Sequence, residues 1–242
     1  MSARLEGRVV MVTGAARGQG EAEARLFAAE GAKVIVADVM EAEGVEVAHS
    51  LGEDALFVRL DVSDEQAWKR ALALGVERFG QLDGLVNNAA VMWRRPLLEE
   101  SVEGLDRLLS INLRGPFLGI KTCAPAMAAS GGGAIVNVSS TAGISAYPEL
   151  AAYSMSKFGV RGLTRVAAVE LAPMKIRVNA LLPGGVRTAM VPEPDDASRW
   201  SGVPAGRVGE VGELAQAALF LISDESSYMT GADLRVDGGA KA

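Results

Sequence analysis

Cysteine and histidine are almost missing from this 242-residue chain; each occurs once, as Cys123 and His49. A single thiol excludes an intramolecular disulfide and fits a reducing compartment. One thiol and one imidazole cannot assemble the usual zinc ligand set, so zinc-dependent chemistry is excluded and no metal site is expected. No apolar run approaches the roughly 18 residues of a membrane span. The opening MSARLEGR has no signal-peptide apolar core, so a cytoplasmic protein with no membrane partner is expected. Positive charge is also in short supply: 24 Lys and Arg face 30 Asp and Glu, a net charge of −6. Nucleic-acid binding needs a basic face that this balance does not offer, which leaves a small molecule as the expected partner.

What is present is apolar and regularly ordered. At 49% hydrophobic and 22% charged, residues 1–242 read as a single α/β domain with an ample core. The runs RVVMVT, KVIVAD, ALFVRL, GLVNNA, AIVNVSS, KIRVNAL and DLRVD alternate with helix-like segments, the pattern of a mostly parallel, Rossmann-type doubly wound sheet. Ser63 with Gln66 reads as a capping box opening the third helix. Ser101–Ala129 reads as helix, with a bend or break expected at Gly115-Pro116. His49 falls at the end of an amphipathic helical segment and reads as a surface residue, and Cys123 reads as core.

The first strand-like run stops at Thr13 and enters GAARGQG, followed by a helical segment. Gly14, Gly18 and Gly20 permit a tight turn and close approach of backbone N–H groups to a pyrophosphate, which the positive helix end attracts. The spacing is a variant of the dinucleotide fingerprint. The next strand ends at Asp38, 24 residues after Gly14, where a carboxylate accepts hydrogen bonds from ribose hydroxyls. Asp38 therefore predicts NAD over NADP, since it repels a 2′-phosphate. Arg17 is the counterweight: it is either a phosphate ligand or a solvated loop residue.

Tyr153 and Lys157 sit four apart in a helix-compatible run and share one helix face. A free phenol titrates near pH 10, and an ammonium within about 4–6 Å lowers that value toward the range useful for acid–base catalysis. Upstream, AIVNVSS ends in two hydroxyls, Ser139 and Ser140, at a strand end of the kind that faces the ligand crevice in doubly wound sheets. Either is a turn serine or a group that holds a substrate oxygen.

TGAARGQG, Asp61-Val62, NNAA, Asn112 in SINL, Ser140, YSMSK and PGGVRT together resemble the motif series of the short-chain dehydrogenase/reductase family, over nearly the whole chain. The resemblance implies a seven-stranded parallel sheet, with Tyr153 as acid/base, Lys157 on the nicotinamide ribose, Ser140 positioning substrate and Asn112 supporting a proton relay. Ser140 is preferred over Ser139 because the family's serine lies thirteen residues before its tyrosine, the interval found here. By the same carry-over Gly14, Arg17, Gly18, Gln19 and Gly20 cradle the cofactor, and Asp61 and Val62 lie at the adenine. Asn88 and Ala89 line the ribose-nicotinamide path, while Pro183, Gly184, Val186 and Thr188 surround the nicotinamide amide. Ala90 departs from the motif, which usually has glycine there. The resemblance also implies a homotetramer, since relatives commonly assemble through the helices bearing Asn112 and Tyr153 and through the C-terminal strand.

The walls of the substrate pocket are expected at 91–96, 143–150 and 190–206, the last rich in Pro, Asp and Gly and read as a mobile lid. Trp93, Tyr147, Met190 and Trp200, with Ser140, are the candidate substrate contacts. Arg94-Arg95 reads as a solvated pair more than an acid-binding one. Within the family the chain most resembles bacterial NAD-linked 3α/20β-hydroxysteroid dehydrogenases, which implies a bulky hydrophobic or cyclic alcohol or ketone. The alternatives are a 3-oxoacyl-carrier-protein reductase and a non-catalytic NAD-sensing module. Against the first, Ala134 and Met174 stand where that group carries docking arginines.

Overall fold

All seven apolar runs are strands in the computed structural model, which describes residues 3–191 and 200–242. They are β1 (Val9–Thr13), β2 (Lys33–Asp38), β3 (Ala55–Arg59), β4 (Gly84–Asn87), β5 (Gly133–Val138), β6 (Ile176–Pro183) and β7 (Asp233–Val236). The sheet order is β3-β2-β1-β4-β5-β6-β7. Every neighbouring pair is parallel. The chain winds outward from β1 to β3, then restarts on the other side with β4. This reversal opens a crevice beyond the carboxyl ends of β1 and β4, where doubly wound sheets bind ligands.

Alternation along each strand divides the core in two. Val10, Val12, Val34, Val36, Val86 and Val136 pack on one face with Phe27 of α1 (Gly18–Ala29), Val47 of α2 (Glu41–Leu51) and Leu219 of α7 (Val211–Ile222). Met11, Ile35, Leu85, Ile135 and Val178 pack on the other. Their partners are Trp68 of α3 (Glu65–Phe79), Met127 of α5 (Gly115–Ala129) and Ala167 of α6 (Ala151–Leu171). Burial on both faces is why these strands read as apolar runs.

Two local expectations need correction. The cap of α3 is Asp64, whose Oδ1 accepts from Gln66 N–H at 2.8 Å, while Ser63 donates to Asp61 at 2.7 Å. The true capping box opens α7, with Glu210 and Glu213 bonding each other's backbone N–H groups. The helical stretch from α4 (Val102–Leu109) to α5 is disturbed before Gly115-Pro116, in a wide π turn at Ser110–Arg114. Pro116 fits the first turn of α5, where a missing N–H costs nothing. Asn112 lies within the wide turn, and such π turns recur at functional sites. His49 is exposed on α2 and Cys123 is buried in α5, which pushes its thiol up to about 12.

Candidate active site

The glycine loop is built by contacts that exclude side chains. Gly14 and Gly18 have φ of +66° and +62°, the left-handed region that favours glycine. A Cβ on Gly20 would fall 2.3 Å from the Gly14 carbonyl oxygen, and one on Gly14 would fall 2.8 Å from Ala89 Cα. Thr13, the last residue of β1, pins this loop to β4. Its Oγ1 donates to Val86 O and accepts from the N–H groups of Asn88 (3.0 Å) and Ala89 (3.1 Å). Asn88 Nδ2 returns hydrogen bonds to the carbonyls of Thr13 and Gly14.

Asp38 closes the loop from β2. Its Oδ2 accepts from Ala16 N–H and its Oδ1 from Met40 N–H, both at 3.0 Å, leaving lone pairs for further donors. Arg17 is exposed, and its guanidinium makes no hydrogen bond or ion pair among the described residues. Asp61 and Val62 follow β3, with Asp61 bonded to Ser63 and the Val62 carbonyl to the Trp68 indole. Beyond β6, Gly184 donates to Val236 O, and a Cβ on it would strike Asp237. The Thr188 methyl comes within 3.7 Å of where a Gly18 Cβ would stand, so the loops after β1 and β6 approach each other across the crevice.

The two serines after β5 part company. Ser139 is buried and its hydroxyl donates to the Lys157 carbonyl at 2.9 Å. Ser140 is half-buried, accepts from Ala142 N–H at 3.1 Å, and its hydroxyl acts to lower the pKa of the Tyr153 phenol. Gly143 lets this loop lie on α6, since a Cβ there would be 2.8 Å from the Lys157 carbonyl oxygen. Lys157 Nζ lies 5.5 Å from the Tyr153 ring centroid and donates to Val138 O at 2.8 Å. Asn112 clamps the loop after β4: its Oδ1 accepts from Val91 N–H, and its Nδ2 donates to Val91 O and, at 3.4 Å, to Ser156. Ser140, Tyr153, Lys157 and Asn112 thus converge at the carboxyl edge of the sheet, near the glycine loop.

The family model described as enoyl-(acyl carrier protein) reductase matches residues 14–241. A trans-4-hydroxycyclohexanecarboxylate dehydrogenase of Sinomonas cyclohexanicum is 44% identical, over 100% of this chain and 96% of its own. The chain belongs to the short-chain dehydrogenase/reductase family. Members of this family act on alcohol or ketone groups with nicotinamide cofactors. A 3α-(or 20β)-hydroxysteroid dehydrogenase of Mycobacterium bovis is 41% identical, over 100% of this chain and 92% of its own. A 3-oxoacyl-(acyl-carrier-protein) reductase of Thermotoga maritima is 42% identical, over 98% of each.

In this short-chain dehydrogenase/reductase the phenol does not titrate as the helix spacing predicts. Burial pushes Tyr153 up to about 12, and the Ser140 hydroxyl opposes this only in part. Lys157 is fully enclosed as well, and burial pushes its ammonium down to about 8. Desolvation disfavours each charged form and is the largest cause of both shifts.

Around the phenol, Trp93 and Tyr147 pack with Tyr153, Leu108, Ala142, Leu150, Val91 and Met92 in one apolar cluster. Met190 and Trp200 lie outside this cluster: Met190 is exposed, and Trp200 packs against Gly185. Of the expected lid, residues 192–199 are outside the described residues. Arg94 and Arg95 are both exposed, in keeping with a solvated pair, and reach Glu149 at 3.9 Å and Glu100 at 3.5 Å.

Proposed function

We propose that this chain is an NAD(H)-dependent oxidoreductase that interconverts a secondary alcohol and a ketone on a bulky, cyclic substrate. One observation carries the reading: a buried phenol, with the Ser140 hydroxyl acting on it and the Lys157 ammonium over its ring, forms part of an apolar wall beside the glycine loop. The loop fits a dinucleotide, because its backbone is fixed by Gly14, Gly18 and Gly20 with no Cβ filling the approach and stands at the amino end of α1. Asp38 supports NAD, with its carboxylate held beside that loop and lone pairs to spare for a ribose.

When bound, the nicotinamide supplies or accepts the hydride. In reduction, Tyr153 gives its proton to the carbonyl oxygen as that oxygen becomes an alkoxide, and Ser140 hydrogen-bonds the same oxygen. With a phenol at about 12, the free enzyme is in the proton-donating state throughout the neutral range. Lys157, charged below about pH 8, stabilises the tyrosinate left behind. Asn112 keeps the Val91 loop in place against this group through two backbone hydrogen bonds. Oxidation of the alcohol reverses each transfer.

The cyclic substrate is supported by the apolar walls and by two relatives whose names specify ring alcohols, a hydroxycyclohexanecarboxylate and a hydroxysteroid. The Thermotoga maritima relative favours a second reading, reduction of a 3-oxoacyl group on a carrier protein. Against that reading stand Ala134, buried in β5, and Met174, exposed, at the positions where that group carries docking arginines. A cytoplasmic homotetramer is part of the proposal, supported by the exposed Phe117, Phe158 and Val169 on α5 and α6. Oxidation of NADH and NADPH by purified protein with a cyclohexanone, a 3-ketosteroid and an acetoacetyl thioester tests the reading. NADH-dependent reduction of a ring ketone is expected; NADPH preference confined to the thioester would replace it with the second reading.

A further inference from the structure

The segment after β7 turns back over the candidate site and carries a cation with it. Asp237 holds the turn, its Oδ1 accepting from Gly239 N–H and its Oδ2 from Lys241 N–H, both at 3.0 Å. Arg235 donates to the Lys241 carbonyl. Gly238 and Gly239 take the left-handed conformation, φ +62° and +85°, that the reversal needs. They lie against Val203, Pro204 and Ala205, and the Gly238 carbonyl accepts from Ala205 N–H at 3.0 Å. The result sets Lys241 Nζ 4.8 Å from the centroid of the Tyr147 ring. Tyr147 is a wall of the candidate pocket: it packs on the cluster containing Tyr153, and its hydroxyl bonds Thr141, the neighbour of Ser140, at 3.2 Å.

The nearby cations are matched to carboxylates, Arg94 to Glu149, Arg95 to Glu100 and Arg235 to Asp237. Lys241 is different. Among the described residues no carboxylate lies within ion-pair distance of it, and its ammonium rests on the ring face alone. That hold is weak where water has access, so an anion entering the pocket can recruit the charge. A neutral ring carries no charge with which to recruit it.

We propose that Lys241 is a specificity-determining residue that binds a carboxylate on the substrate, at the end remote from the reacting oxygen. The inference rests on the alcohol–ketone reading above. A charge-assisted hydrogen bond formed only with the anionic substrate raises the ratio of its kcat/KM to that of a neutral analogue by about tenfold. The test compares 4-oxocyclohexanecarboxylate with 4-methylcyclohexanone, using NADH, in the full chain and in Lys241→Met and Lys241→Arg. The acid-to-neutral ratio is expected to fall about tenfold in Lys241→Met through KM for the acid, and to recover in Lys241→Arg. An equal ratio in the unaltered chain and Lys241→Met, or equal losses on both ketones, would overturn the assignment, since a merely structural Lys241 moves both alike. If the unaltered chain reduced neither ketone with either cofactor, the functional reading would fall too; turnover with an unmoved ratio sinks Lys241 alone.

Discussion

Glu23 makes the stability of this protein depend on pH in a direction opposite to that of most carboxylates. It sits on α1, fully buried, with Oε1 accepting from Gln19 Nε2 at 2.9 Å and Oε2 without a partner. Burial pushes its pKa from 4.5 up to about 8, only partly offset by the Gln19 hydrogen bond. The unfolded chain releases the proton near 4.5 and the folded chain retains it to about 8. Stability is therefore fully present below about pH 4.5 and is lost progressively as pH rises toward 8. Each pH unit in that window removes roughly 1.4 kcal/mol, so about 2–3 kcal/mol disappears between pH 6 and 8. Glu23→Gln keeps the shape and the acceptor for Gln19 but has no proton to lose. Thermal unfolding at pH 6, 7 and 8 should show the variant gaining on the parent, by a further roughly 5–10 °C across the range for a chain of this size. Comparing the two proteins at each pH cancels every other titration. A difference in Tm that stays constant from pH 6 to 8 would refute the reasoning, because it would mean that Glu23 is already ionised in the fold.

Other expectations concern the site itself. Ser139→Ala should cost about 1–3 kcal/mol of stability, by leaving the Lys157 carbonyl without its hydroxyl donor, and spare much of kcat; Ser140→Ala should do the reverse, lowering kcat about a hundredfold with little change in Tm. Equal kinetic losses in the two variants would count against the division of labour. Asp38→Asn, which removes the charge beside the glycine loop, should reduce the preference for NAD over NADP at least about tenfold in kcat/KM; an unchanged ratio would return the choice of cofactor to Arg17. For ketone reduction, kcat/KM should fall as pH rises through about 8, where Lys157 loses its proton, while Tyr153 at about 12 stays protonated. A profile flat to pH 10 would contradict that assignment.

The strands were legible because burial on both faces turns each into an apolar run, and the glycine loop because Gly14, Gly18 and Gly20 stand between such a run and a helix. Tyr153 and Lys157 were legible as a pair from helix spacing alone. Their protonation was not, since the direction of both shifts is set by how deeply the fold encloses them. Composition does not separate Ser139 from Ser140; the family interval prefers Ser140, and in the fold the Ser139 hydroxyl is committed to the Lys157 carbonyl. Glu23 is one of several acidic residues in the helical segment after the glycine loop, and nothing in the sequence marks it as buried. Thr13 looked like a strand end, although its single hydroxyl ties three backbone groups of β4 and its loop to β1. Both depend on contacts far apart in sequence.

The most direct test of the central claim measures cofactor turnover and cofactor binding together in Tyr153→Phe. The variant keeps the ring that packs in the apolar cluster and loses only the hydroxyl that Ser140 engages. NADH oxidation with a ring ketone should drop by at least about a hundredfold while NADH affinity, read by fluorescence titration, stays within a few-fold of the parent. Turnover retained in the variant would contradict a mechanism that depends on this phenol.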